Sequence, residues 1–221
     1  MKRNNLKYIG AMLLWMSISM GFSQDTKEYL FFDYSNFGVR IGANYSLADM
    51  TPAISKINPE ISYTAGLAYT FSNKKYVGIQ IEALFTQRKW RESFDDGSVT
   101  TNLKYLEIPF MTNINLGSGR LKYMINLGTY VSILLDKDLN LNIPMENIYY
   151  QSIIDRSERN SDFGLIIGGG LRYFSHIGIF QLDARFSYGY QKLYNEEASG
   201  FLYSNLSGLS MGIIYFLNLK K

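Results

Sequence analysis

Eight segments of this chain alternate apolar residues with small or polar ones at period two, and short and long connections alternate between them. Period two is the repeat of a strand: successive side chains point to opposite faces, so each segment reads as a strand with one apolar and one polar face. The segments run from about Asn36 to Ser46, Glu60 to Phe71, Tyr76 to Arg88, Asn102 to Leu116, Arg120 to Leu134, Asp162 to Phe174, Gly178 to Gln191 and Leu206 to Leu219. In the first, Phe37, Val39, Ile41, Ala43 and Tyr45 share a face, and Gly38, Arg40, Gly42, Asn44 and Ser46 share the other. In the seventh, Phe180, Leu182, Ala184, Phe186, Tyr188 and Tyr190 oppose Gln181, Asp183, Arg185, Ser187 and Gly189.

The apolar face decides the medium. It reads Val77, Ile79, Ile81, Ala83 and Phe85 in the third segment, and Leu106, Ile108, Phe110, Thr112 and Ile114 in the fourth. None of these residues is charged. Arg or Lys on the lipid face of a barrel costs about 2–4 kcal/mol at the midplane, so an uncharged outer coat is what lipid selects. A soluble barrel would put its apolar residues inside. The expected fold is therefore all-β: an eight-stranded, up-and-down, antiparallel transmembrane β-barrel. Ser72 to Lys75, Gly117 to Gly119 and Ser175 to Ile177 read as tight turns, and Leu47 to Pro59, Lys89 to Thr101, Leu135 to Ser161 and Lys192 to Asn205 as long loops. Short periplasmic turns and longer extracellular loops are the habit of outer-membrane barrels. Aromatics such as Phe37, Phe71, Tyr123 and Tyr215 near the turns, and Tyr45, Tyr63, Phe163 and Tyr188 near the loops, predict two interfacial girdles.

The chain ends supply the route to that membrane. Lys2, Arg3 and Lys7 precede a short apolar run from Ile9 to Ile18, and Gly21-Phe22-Ser23 offers small residues for cleavage. This predicts a signal peptide over 1–23, a short periplasmic segment over 24–35 and the barrel over 36–221. The run is shorter than the roughly 20 apolar residues of a membrane-spanning helix. No cysteine is present, so no disulfide and no lipid-modified cysteine is available. The net charge of +3 is mild and the Lys and Arg residues are scattered, which speaks against a nucleic-acid partner.

The polar face carries Arg40, Glu82, Arg88, Glu107, Lys122, Arg172, Asp183 and Arg185. An eight-stranded barrel is wide enough only for its own side chains. Charges confined there are expected to pair across the lumen, because an unpaired buried charge is costly. A narrow ion path and a catalytic carboxylate pair are the sharper alternatives. His176, the one histidine, falls in a short turn without the acid and nucleophile of a hydrolase. No cysteine and no set of carboxylates at ligand spacing supports a metal, and no cofactor is expected. Gly168-Gly169-Gly170 lies inside a strand with no helix after it, so it is not a phosphate loop. Asp95-Asp96-Gly97-Ser98 reads as a turn. Binding residues concentrate on loops held by a rigid scaffold. Trp90 in the second loop, Tyr149, Tyr150 and Arg156 in the third, and Tyr194, Phe201 and Tyr203 in the fourth are the candidate contact residues, of types that anchor protein interfaces.

Tyr105-Leu106-Glu107-Ile108-Pro109-Phe110, on the fourth strand, resembles the YLEIP strand of the PorT-like outer-membrane β-barrel family of Bacteroidetes-type bacteria. The stretches Phe163 to Gly170 and Leu127 to Leu135 are similar to that family as well, and the resemblance spans about residues 36 to 221. It implies an outer-membrane barrel, with some relatives tied to protein secretion and gliding. One departure is the end of the chain, where Tyr215 and Phe216 precede Leu217-Asn218-Leu219-Lys220-Lys221 in place of a terminal aromatic. The expected function is a non-enzymatic structural or interaction role in the outer membrane. The expected partners are outer-membrane lipid, lipopolysaccharide and proteins of an export or surface assembly. A small pore is the alternative, and a lipid-modifying enzyme the third reading.

Overall fold

The computed structural model describes residues 34–217 except 54, 73, 75, 118, 147–148, 155, 157 and 195–202. The expected signal peptide, residues 24–33 and the contact candidate Phe201 lie outside the described residues. Eight strands follow one another: β1 (Tyr34–Thr51), β2 (Lys56–Ser72), β3 (Val77–Phe94), β4 (Gly97–Leu116), β5 (Leu121–Asn142), β6 (Ser161–Phe174), β7 (Gly178–Gly189) and β8 (Tyr203–Leu217). A single turn of helix, α1 (Tyr150–Ile154), lies between β5 and β6. Each strand pairs antiparallel with its neighbour in sequence, and β1 closes the ring on β8 through pairs such as Ile41 with Ile213. A ring has no edge, so the backbone groups that face lipid are satisfied within the sheet.

Period two in the sequence becomes inside and outside in the ring. β3 alternates exposed and buried residues without a break from Val77 to Thr86. Val39, Ile41, Leu67, Leu127 and Ile167 are more than half exposed, whereas Arg40, Thr70, Gln80, Asn113 and Arg172 are sealed inside. An exposed apolar coat around a buried polar interior inverts the plan of a soluble barrel. Aromatic pairs mark both rims. Phe37 with Tyr69 (4.8 Å) and Phe180 with Tyr215 (5.0 Å) stand at the turn end, and Tyr188 with Tyr190 (5.8 Å) at the loop end.

The sheet is taller than this coat on one side. β3, β4 and β5 hold 18, 20 and 22 residues, against 14, 12 and 15 in β6, β7 and β8. On β4 the apolar column ends at Leu106. From Leu116 to Leu106 is about ten steps of roughly 3.4 Å, which at a tilt of about 40° rise about 26 Å and match a barrel's apolar band of about 25 Å. Two register shifts turn the outer face polar just beyond that level. In β5, Leu134 pairs with Tyr105 but Asp136 with Lys104, so Leu135 is an extra residue. Above it the parity reverses: Asp136, Asp138 and Asn140 are exposed, and Lys137, Leu139 and Leu141 are less so. In β2 a shift between Glu60 and Thr64 brings Glu60 onto the outer Lys89 and Arg91 of β3. A bulge leaves one residue unopposed and exchanges the two faces beyond it.

The observed strands correct three of the expected loops. Lys89 to Thr101 is not a loop but the continuation of β3 and β4 around the turn at Asp95 and Asp96. Leu47 to Pro59 contracts to the short connection between Thr51 and Lys56, and β5 runs on to Asn142. The outer face ceases to be apolar at those points, but the hydrogen-bonded ladder continues past the membrane into water. Phe110→Lys, at an outward position near mid-band, is expected to lower unfolding free energy in lipid vesicles by about 2–4 kcal/mol. Asn140→Lys, above the band, should change it by less than about 0.5 kcal/mol; urea titration of the folded fraction measures both.

Candidate functional site: a layered lumen and its extracellular cap

From the turn end upward, the lumen is filled in layers. Ala68, Ile179, Ile214 and Phe216, with Phe174 beside them, form an apolar floor. Lys122 of β5 sets its Nζ 4.8 Å from the centre of the Phe174 ring. Above the floor Arg172 donates to amide oxygens: Gln80 Oε1 at 3.0 Å, Gln181 Oε1 at 3.1 Å and Asn113 Oδ1 at 3.3 Å. Asn113 in turn donates to Asn126 Oδ1 at 2.6 Å.

The next layer is ionic. Arg185 of β7 meets Glu82 of β3 with two parallel bonds of 2.8 Å and reaches Asp183 at 2.9 Å. Arg40 of β1 places Nη1 at 2.9 and 3.0 Å from the two oxygens of Asp183. A fork of guanidinium donors on a carboxylate is the strongest such geometry, and charge-assisted bonds are about twice as strong as neutral ones. Gly212 makes room for it: a methyl there would stand 2.6 Å from Arg40 Nη2 and 2.7 Å from its Cζ.

A second ionic layer lies nearer the loops. Arg88 donates to Glu107 Oε2 at 2.6 Å and to Asp162 Oδ2 at 2.9 Å, while the Tyr130 hydroxyl donates to the same Asp162 oxygen at 2.7 Å. The Arg88 guanidinium also lies 5.1 Å from the ring centres of both Tyr105 and Tyr130, within cation–π range. Between the two layers is a cavity of about 30 Å³, bounded by Arg40, Arg88, Arg185, Glu107 and small residues such as Ser187 and Gly208. That is more than the roughly 10–15 Å³ of cavity that one water needs.

The loop end is closed by an apolar cap of Ala48, Met50, Trp90, Leu103, Tyr105, Leu193, Tyr194 and Leu206. An ion pair is buried within it. Arg156, from the connection after α1, puts Nη1 at 2.8 and 2.9 Å from the two oxygens of Glu92 on β3. Trp90 Nε1 and Ser55 Oγ also donate to Glu92, at 3.4 and 3.3 Å. Burial works against the charge on Arg156, but the adjacent Glu92 carboxylate raises its pKa above the ordinary value. Burial, reinforced by Glu92, pushes the Tyr194 phenol well up. The last two connections are tied to the tall wall and to each other. Lys137 pairs with Glu158 at 2.7 Å, and Arg159 N–H donates to the Leu193 carbonyl at 2.8 Å.

Seven of the eight expected lumen charges thus lie in the three polar layers, with Lys122 against the floor. Asp162, at the head of β6, joins them although the sequence pattern did not single it out. Three contact candidates are placed differently from expectation. Trp90 is a fully buried inward residue of β3, and Arg156 and Tyr194 are buried in the cap. Their apolar and charged partners all lie inside the mouth, which draws them in. Tyr149 and Tyr150 are half-buried around the start of α1, and Tyr203 is exposed at the head of β8. Glu92 was hidden in the supposed second loop, yet the even-numbered inward series of β3, from Gln80 through Arg88 and Trp90, runs straight to it. His176 is exposed, with Nε2 3.3 Å from Arg120 Nη2.

Glu82→Gln is expected to cost about 3–5 kcal/mol, because it leaves Arg185 and Arg40 to share the single carboxylate of Asp183. Replacing Glu82 and Arg185 together by Met and Leu should cost far less, since removing both charges leaves none uncompensated. Urea unfolding in vesicles checks the pair.

The comparisons with known proteins agree with this architecture. Residues 22–195 match the model of the outer membrane protein beta-barrel domain. OprG of Pseudomonas aeruginosa is similar over 85% of this chain and 98% of its own, with 15% identity and a TM-score of 0.53. Ail of Yersinia pestis (14% identity, 83% and 99% covered, TM-score 0.43) and outer membrane protein W of E. coli (14%, 81% and 97%, 0.41) are also similar. At these identities the likeness is one of fold. Among curated proteins no sequence match is found.

Proposed function

We propose, for a chain that belongs to the outer membrane protein beta-barrel domain family and so resides in the cell outer membrane, a non-enzymatic role as a closed barrel that presents a fixed surface outside the cell. The observation that supports this most is the filled lumen. An apolar floor, an amide layer, two ionic layers and an apolar cap fill the path described, with the cavity of about 30 Å³ between the ionic layers. A barrel of eight strands holds its own side chains and little else. Such a barrel is a scaffold, and its product is what stands at its rim.

At that rim the β3–β4–β5 wall rises above the apolar band; the β5–β6 connection is fastened to it through Arg156–Glu92 and Glu158–Lys137, and the β7–β8 connection is tied to that one through Arg159 and Leu193. Surfaces pre-ordered in this way lose less entropy on binding a partner. The partner we propose is a protein of a surface or export assembly, the process that the PorT-like resemblance implies. Tyr149, Tyr150 and Tyr203 are the aromatic residues best placed to meet it.

The cavity bounded by three arginines favours a second reading, a small pore opened by release of the cap. Conductance separates the two. Full-length protein in planar bilayers is expected to give no steady channels. Steady channels whose conductance changes in Glu107→Gln or Arg172→Gln would overturn the closed-barrel reading. Extraction in mild detergent followed by native electrophoresis is expected to give a complex several times the size of the monomer. A band at the size of the monomer in its micelle would overturn the assembly partner.

A further inference from the structure

Above the apolar band the ring gives way to an open sheet. β6 begins at Ser161 opposite Ile133, and the Leu134 N–H donates to the Asn160 carbonyl at 2.8 Å just above that pair. β5 continues beyond this point paired on one side alone, with β4, from Asp136 opposite Lys104 to Asn142 opposite Ser98. Among the described residues no backbone group bonds to the other side of that stretch. The β5–β6 connection meets it through side chains: Lys137 Nζ donates to the Arg156 carbonyl at 3.2 Å and pairs with Glu158 at 2.7 Å. The Lys104 ammonium and the Lys137 N–H hold the Asp136 carboxyl below the ordinary range, so this N–H is turned away from β4 and already has its acceptor. The bonding direction alternates residue by residue along an antiparallel pair. The N–H and C=O of Leu139 and Leu141 therefore face the open side.

An exposed edge is a template for any extended chain that reaches it, and proteins blunt such edges with proline, charge or a covering segment. The opposite edge of the same wall is blunted in this way. Tyr45 opposite Ile61 is the last β1–β2 pair, and beyond it β2 carries Glu60, Pro59 and Lys56. Pro59 has no N–H to offer. On β5 the charges stop at Asp138, and Leu139, Asn140, Leu141 and Asn142 follow without a proline. The inner column of this edge, Leu139 and Leu141, is only half-buried, and the outer column, Asp136, Asp138, Asn140 and Asn142, is exposed and holds no cation. An added strand that matches it is apolar on its inner side and basic on its outer side. A second copy of this chain does not match. Two copies upright in one bilayer and related by a twofold axis along its normal each tilt their strands by about 40°, so their β5 edges would cross at about 80°. Paired strands in a sheet differ by only about 20–25°.

We propose that residues 138–142 of β5 are a docking edge for an extended segment of a partner protein, which adds to the wall as a further strand, with apolar side chains beside Leu139 and Leu141 and cations beside Asp136 and Asp138. The inference rests on the reading of the barrel as a scaffold for a partner protein and deepens it by naming the partner's chemistry. Main-chain bonds supply the affinity in such an addition, and the alternating side chains the selectivity.

The test uses full-length protein in phosphatidylcholine nanodiscs and the peptide Lys-Val-Lys-Val-Lys-Val-Lys-Val as probe. Two further arms are the same peptide N-methylated throughout, which keeps the charge but donates no backbone bond, and its Glu-Val counterpart. The wild type is expected to bind the first in preference to both. In the free protein the Leu139 and Leu141 amides are expected to exchange with solvent faster than those of Asp138 and Asn140. At a peptide concentration about ten times Kd their exchange, read by NMR, should slow about tenfold. Leu139→Pro removes an edge N–H and should abolish binding. Asn140→Lys sets a cation beside those of the peptide and should weaken binding by up to about fivefold. Heat-modifiable gel mobility and urea unfolding, read on the same samples, show that each variant is folded. The proposal is overturned if the N-methylated peptide binds equally well, if folded Asn140→Lys and Leu139→Pro both bind as the wild type does, or if the Leu139 and Leu141 amides are unchanged in the complex. Equal binding of the Glu-Val peptide would overturn the basic character of the partner. Protection of the two amides that grows with protein concentration, without peptide, would overturn the partner in favour of a second copy. A monomer-sized band in native electrophoresis would remove the assembly and leave these titrations unchanged, whereas loss of peptide binding would remove the edge and leave the large complex.

Discussion

The pairing of Arg40 and Arg185 with Glu82 and Asp183 is the interaction on which the rest of this barrel depends. A ring of eight strands in lipid must carry its polar residues inward, and the space inside accepts only side chains. Charge in that space is tolerable when it is matched and hydrogen-bonded, and costly otherwise. The four residues come from β1, β3 and β7, so the pairs link strands that are not neighbours in the ring. A one-residue slip of any of these strands would turn its charge into lipid. The ionic layer therefore helps to fix register as well as to fill volume. The small residues around it, such as Gly212 against Arg40, follow from the size of the guanidinium groups.

The same rule of two faces explains where the membrane ends. An uninterrupted alternation would have carried Leu134 to the inner face and Asp136 with it. The extra residue at Leu135 separates them, keeping Leu134 partly buried and exposing Asp136 and Asp138. Glu60 is released to the outside in the same way on β2. On β2 and β5 a bulge turns the outer face polar without ending the strand, β3 and β4 make the same change by residue type in an unbroken register, and the wall above has an inner apolar side. Leu193 and Tyr194 pack against that inner side.

This also shows how far the sequence was legible. Within the apolar band each strand obeys one physical rule, so β1 to β8, their order and their inward charges could be read from period two alone. Above the band the rule changes. Charge on both faces of Lys89 to Glu92 looks like a solvated loop, because the loss of an apolar outer face and the loss of a strand leave the same trace. Only the inward series of β3 continues, and it takes the pattern of Arg88, Trp90 and Glu92 to see it. The buried pairing of Glu92 with Arg156 was out of reach for a different reason: its partners are 64 residues apart, and no periodicity links a strand to the connection that folds back over it.

A division of labour emerges between the two halves of the ring. β6, β7 and β8 are short, end close to the apolar band and contribute Asp183, Arg185 and Asp162 to the interior. β3, β4 and β5 cross the same band and continue upward, polar outside and apolar inside. The cap fastens to this tall half through Glu92 and Lys137, and Arg156, Leu193 and Tyr194 reach it from the connections that flank β6 and β7. Loosening the Arg156–Glu92 pair would thus free the connections on the short side and leave the wall standing, because the wall's hydrogen bonds lie in its own ladder. The open edge of β5 belongs to that same wall, beside strands whose register is fixed from inside by Glu82, Arg88 and Glu107. The lumen and the rim are in this sense one construction: matched charge in the interior holds β3 and β4 in register, and β4 in turn holds β5 upright from Asp136 to Asn142.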